Sequence, residues 1–140
     1  MVRTVLVTGT NSGVGLETAL HLARLGFKVV GTVRSHDKAD RLHEAAGEAG
    51  VVVENAVLDV TDSGRGEALA DELQPGGGEQ RRLHEHRPDG RRPPEDALRQ
   101  LEVMVVAPMR LAALAIPAMR RRGEGRIVNV SSVAATPPRP

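Results

Sequence analysis

The apolar positions of this chain switch between two spacings, and the switches mark out its elements. Val5, Leu6 and Val7 form a short aliphatic run between Thr4 and Gly9, which reads as a strand. Past a glycine-rich turn the apolar residues recur at helical spacing, at Val14, Leu16, Ala19, Leu20, Leu22 and Ala23. Gly26 is a plausible stop, and Phe27 to Val33 reads as a second strand. An amphipathic helix is predicted from about Asp37, its N-cap, to Ala49, with Ala39, Leu42, Ala45 and Ala46 inward and Gly50 ending it. Val51 to Leu58 is a third strand, and a further helix runs to about Leu73. The order βαβαβα places the chain in the α/β class, as the first half of a doubly wound parallel sheet with strand order 3-2-1. Right-handed crossovers put its binding crevice at the carboxyl ends of the strands.

The pattern then breaks. Residues 74–92 hold one aliphatic side chain, Leu83, and no strand period, and so long an irregular stretch is unusual inside a compact domain. A helical pattern returns from Pro94 to about Arg122, carried by Leu98, Leu101, Val105, Leu111, Leu114, Ala115 and Met119. Pro108 and Pro117 should bend or break it. Gly123-Glu124-Gly125 makes a turn, Arg126 to Val130 reads as another strand, and Ser131-Ser132 leads into a proline-rich stretch.

Composition adds limits. A chain of 140 residues with 40% hydrophobic content is expected to form a single domain. A formal charge of +1 gives no general attraction to nucleic acid or to an anionic membrane. No cysteine is present, and there is no apolar run of about 18 residues or more and no signal-peptide h-region, so the expectation is a soluble, cytoplasmic protein with no nucleic-acid or membrane partner. There is no tyrosine, no tryptophan and a single phenylalanine, Phe27. Two lysines, Lys28 and Lys38, stand against seventeen arginines, which with abundant Ala, Gly and Pro suggests GC-rich coding DNA.

The chemistry concentrates in the first turn, Thr8-Gly9-Thr10-Asn11-Ser12-Gly13-Val14-Gly15. Strand, glycine turn and helix in that order suit a phosphate: Gly9 can turn sharply, Gly13 clears the approach of a ligand, and Gly15 lets the helix lie close to the strand. The helix-start amides then face the anion. The spacing Thr-Gly-x-x-x-Gly-x-Gly resembles the cofactor loop of the short-chain dehydrogenase/reductase family, a Rossmann-like fold. The resemblance makes Gly9, Asn11, Ser12, Gly13, Val14 and Gly15 the expected cofactor contacts. Arg34 ends the second strand where an acid usually selects NAD, and a guanidinium there can pair with the 2′-phosphate of NADP. NADP is therefore expected over NAD; the alternative is a solvated surface arginine. The resemblance also assigns Asp59 and Val60 to the adenine ring. A helix cap at Thr61 or Asp62 is the other reading of that stretch, and both can hold.

The resemblance covers roughly residues 1–73 and 93–138, and its gaps matter as much. Met104 falls where the family helix carries an asparagine that organises a proton-relay water, and a thioether cannot replace an amide there. A core methionine is the expected role. Ser132 falls on the catalytic serine, with Ser131 as second choice. The family's fourth strand, ending in Asn-Asn-Ala-Gly, is missing, but Gly78-Glu79-Gln80-Arg81-Arg82 read one base later can encode Val-Asn-Asn-Ala-Gly. Residues from about 78 to 92 are thus expected to be out of frame. The rival reading is a natural basic loop, with His84 and His86 as weak candidates for a metal; no metal is expected. The Tyr-x-x-x-Lys pair, acid/base and its pKa-lowering partner in the family, is absent. The resemblance implies an oxidoreductase moving hydride between nicotinamide and a small alcohol or carbonyl compound, here truncated, incomplete as a Rossmann-like sheet, and inactive as written. Family members form homo-oligomers, which this chain is not expected to do. A non-catalytic dinucleotide-binding module is the alternative.

Overall fold

A computed structural model describes residues 3–73 and 94–131. Strands β1 (Thr4–Val7), β2 (Lys28–Val33) and β3 (Glu54–Val57) form a parallel sheet in which β2 is central. Val7 is opposite Gly31 and Val33 opposite Val57, so β2 and β3 end level and β1 stops two residues earlier. This is the Rossmann-like α/β arrangement and strand order that the apolar pattern predicts. Helices α1 (Gly13–Arg24) and α2 (Ala39–Glu48) are the crossovers. Their apolar stripes meet the sheet in a core of Val7, Leu16, Ala19, Leu20, Val29, Leu42, Ala46 and Val53. Val30, next to Val29, faces the opposite side of the pleat and is also buried.

Helix α3 (Ser63–Leu73) follows β3, its start capped by Asp62, whose Oδ1 accepts from the Arg65 amide at 2.9 Å. Asp62 therefore takes the cap that Thr61 could also have supplied. Asp37 does not cap α2 as predicted. A single 3-10 turn, His36–Lys38, precedes the helix, and Ser35 is the extended residue before it. The Ser35 hydroxyl holds the Asp37 carboxyl below its ordinary pKa.

Among the described residues, the second half holds helices and no strand. Helix α4 (Pro94–Leu101), a π-helical stretch (Glu102–Val106) and helix α5 (Ala107–Arg122) run on without a break. The prolines, expected to bend or break the helix locally, do not end it, and the regular α-helical pattern is interrupted just before Pro108 by the π-helical stretch. Pro108 sits in the first turn of α5, where a missing N–H is tolerated, and the wider π turn just before it makes room for the ring. Pro117 lies inside α5. Helix α5 packs on α3 where Gly66 leaves room for Leu111 and Leu114, with the Leu111 Cδ2 3.5 Å from where a Cβ would sit.

Two further expectations fail here. Arg126 to Val130 is not a strand: β1 pairs only with β2 among the described residues, and Val128 and Val130 are exposed. The turn before it packs closely instead, since a Cβ at Gly125 would collide with the Met119 side chain, which is buried. The predicted absence of a span-length apolar segment is also corrected. Asp96–Arg122 is one helix, long and apolar enough by length and composition to cross a membrane, and little of it is buried.

Gly15 is the tightest point of the fold. A Cβ there would collide with the Gly9 carbonyl oxygen and stand 3.0 Å from its carbon. Gly15→Ala is expected to destabilise by about 1–3 kcal/mol through overpacking against backbone. Gly47, inside α2 with nothing near its missing Cβ, gives the opposite sign, a gain of about 0.5–1 kcal/mol for Gly47→Ala. Urea denaturation of the two variants checks both signs.

Candidate functional site

The site is built where the three strands end. Gly9 turns the chain out of β1 with φ 71°, a left-handed conformation that favours glycine. The chain then crosses the end of β2. The buried Thr10 donates both its amide, at 3.0 Å, and its hydroxyl, at 3.1 Å, to the Thr32 carbonyl. This crossing needs Gly31, because a Cβ there would stand 2.6 Å from the Thr10 Oγ1 and 3.0 Å from the Leu42 Cδ2. On the other side of β2, the Leu58 amide donates to the Val33 carbonyl at 2.8 Å. The ends of all three strands are thereby tied to one another.

A cavity of about 410 Å³ opens at this level. Thr8, Gly9, Asn11 and Ser12 line it from the loop after β1, and Thr32, Val33, Arg34 and Lys38 from the end of β2 and the turn beyond it. Leu58, Val60 and, from the π-helical stretch, Val103 complete it. Ser12 precedes α1 in extended conformation and makes no side-chain cap bond, and no acid lies in the first turn. The first amides of α1 are left without intrahelical partners, as at any helix start. Arg34 and Lys38 bring two exposed cations to the rim, while Val60 and Val103 bring apolar surface. A glycine cradle, a helix start, two cations and an apolar slot fit a phosphorylated nucleotide.

A family profile, "short chain dehydrogenase", matches residues 3–140. The chain belongs to the short-chain dehydrogenase family. It is similar to retinol dehydrogenase 8 of Bos taurus, 37% identical over 141 residues that cover 94% of this chain and 45% of that protein. A metagenomic short-chain oxidoreductase in complex with NADP superposes with a TM-score of 0.85 at 26% identity, covering 97% of this chain and 65% of the other. A short-chain dehydrogenase from Sphingobium yanoikuyae in complex with NADPH gives a TM-score of 0.81 at 31% identity, covering 94% and 54%. The chain spans about half the length of the curated relatives it matches.

Of the residues that the short-chain dehydrogenase resemblance singles out, Gly9, Asn11, Ser12, Arg34 and Val60 line the cavity together. Gly13 and Val14 lie exposed in the first turn of α1, outside the lining, and Gly15 is buried against Gly9. Met104 is not a core methionine: it is 48% exposed, one residue past the cavity-lining Val103. Ser132, the segment 78–92 and the histidines at 84 and 86 lie outside the described residues. Among the described residues no cluster of side chains suits a metal ion. Thr10, Thr32, Lys38, Leu58 and Val103 escape the sequence reading. Gly31 was the available signal for Thr10, since a glycine inside a strand marks a close backbone approach.

Asp59 is exposed, beside the cavity rather than lining it. Its Oδ1 accepts from the Thr61 amide at 3.0 Å and from the Thr61 hydroxyl at 2.7 Å. These two bonds, with smaller help from the Arg34 and Arg99 charges, hold its carboxyl below the ordinary aspartate value. A depressed folded-state pKa stabilises the fold above the unfolded value and loses that contribution as pH falls through the folded one. The stability gap between the parent and Asp59→Ala is therefore expected to close as pH falls from about 5 to below about 3. Urea midpoints measured across that range check it.

Proposed function

We propose that this chain binds a nicotinamide dinucleotide at the carboxyl ends of β1–β3, NADP in preference to NAD, as part of a single, incomplete dinucleotide-binding domain. One observation carries the reading: the Gly9–Ser12 loop and the Arg34–Lys38 cations face a common cavity. The loop and the start of α1 would take the pyrophosphate, Arg34 and Lys38 the 2′-phosphate, and Val60 and Val103 the two faces of the adenine. Asp59 has its second oxygen for the exocyclic amine, while the first stays with Thr61. The NADP and NADPH held by two solved relatives support this reading.

The reaction we infer is that of the family type, an oxidoreductase acting on a small alcohol or carbonyl compound. A nicotinamide held by the Gly9–Ser12 loop and Arg34 would supply or accept the hydride. Ser132 is the residue we assign to orienting the substrate oxygen. A serine hydroxyl is too weak an acid to deliver a proton at neutral pH, and the sequence contains no tyrosine. These 140 residues are accordingly proposed to bind the cofactor without turning substrate over. These residues on their own would then behave as the second reading, a dinucleotide-binding module, describes. We place the protein in the cytoplasm, without nucleic acid, membrane or a second copy as partner. The Glu102–Arg110 ion pair and two prolines within the Asp96–Arg122 helix support a packing surface over a span.

Calorimetry with both cofactors tests the proposal. NADPH is expected to bind about tenfold more tightly than NADH, and Arg34→Asp should narrow or reverse that ratio. Equal affinities in the parent would remove the role of Arg34. Oxidation of NADPH against a panel of aldehydes and ketones is expected to stay at background. Turnover that is abolished by Ser132→Ala would overturn the reading of a binding-only chain.

A further inference from the structure

Two apolar residues that line the cavity come from distant parts of the chain, and one side chain bonds to a neighbour of each. Val60 belongs to the loop after β3, and Val103 belongs to the π-helical stretch between α4 and α5. Arg110, in the first turns of α5, donates from Nη2 to the Glu102 Oε1 at 2.8 Å. Its Nη1 reaches the Thr61 carbonyl at a long 3.5 Å. Glu102 is the residue before Val103, and Thr61 is the residue after Val60.

We propose that Arg110 is a positioning residue that sets the base slot, holding the Val103 turn and the Val60 loop at a fixed separation through Glu102 and the Thr61 carbonyl. The geometry supports this in three ways. Glu102 and Arg110 are eight residues apart, about 12 Å along a regular helix, so the pair reaches across the whole π-helical stretch. A π turn has a wider ring and is frequent at functional sites; an ion pair from its first residue to the next helix fixes its shape. Both side chains are about two-thirds buried, where a charge-assisted bond is less screened than at the surface. Thr61 in turn holds the Asp59 carboxylate through its amide and hydroxyl, so movement of this loop would shift Asp59 as well as Val60.

This inference rests on the nucleotide reading of the cavity, and its test separates the two. The probes are adenosine 2′,5′-bisphosphate and uridine 2′,5′-bisphosphate, titrated by calorimetry into the full chain. They share the phosphates and ribose and differ in the base that enters the slot. The parent is expected to prefer the purine. In Arg110→Met and Glu102→Gln that preference should fall about fivefold, while affinity for the uridine compound stays within about twofold. Arg110→Lys, which keeps the charge, should recover part of the preference. A ratio of two affinities is insensitive to a fraction of unfolded protein, so a purely structural role would not move it. Glu102→Gln is the milder change and reads the clasp if Arg110→Met fails to fold. Unchanged preference in the folded variants would overturn the role of Arg110 and leave the site intact. Failure of the parent to bind either bisphosphate would overturn the nucleotide reading itself.

Discussion

The Thr32 carbonyl is the point on which the site depends. It lies at the end of the central strand and accepts two bonds from Thr10, amide and hydroxyl, in a fully buried setting. Such a carbonyl left unmatched would be costly, about 1–3 kcal/mol, so the loop from β1 is held across the end of β2 rather than leaning on it loosely. That crossing is possible only because Gly31 has no side chain. The same loop then enters α1, whose start approaches Gly9 so closely that Gly15 has no alternative. Two missing Cβ atoms, one on each side of the loop, thus fix where the helix-start amides point. The cavity is a consequence of this packing, and the chemistry it can support follows from what lines it.

Much of this was legible in the sequence, for physical reasons. Three strands, the helices between them and the strand order follow from alternating apolar periods, because each element buries one face. Gly9 and Gly15 could be read as a turn and a close approach because no other residue suits either place. Arg34 was legible from its position at a strand end. Lys38 and Val103 were not, because nothing local marks them: one rides on a 3-10 turn, the other comes from beyond the segment at 74–92. The predicted strand at Arg126–Val130 carried a valid local pattern. A strand, however, needs a neighbour to bond with, and β1 meets only β2 among the described residues.

The second half shows the limit of periodicity as a guide to burial. Leu98, Leu101, Val105 and Met109 follow one another at helical spacing and share one face of the helix, yet all four are exposed. The spacing identified the helix correctly, but among the described residues no core covers this part of its apolar face. Met104 is part of the same outcome. Half-exposed beside a cavity-lining valine, it is placed by the π turn rather than by apolar packing. Arg110 on this helix bonds to Glu102 and reaches Thr61, and with the cavity-lining Val103 it links the second half to the site.

A loop from β1, the end of β2, the loop after β3 and the π turn are proposed to act together as one nucleotide site. Amide chemical shifts of the full chain, followed by NMR during titration with NADPH, test it most directly. Saturable shifts are expected to concentrate at Gly9 to Gly15, Arg34, Val60 and Val103, with α2 little affected. Shifts that are absent, or confined to residues away from the carboxyl ends of the strands, would contradict it.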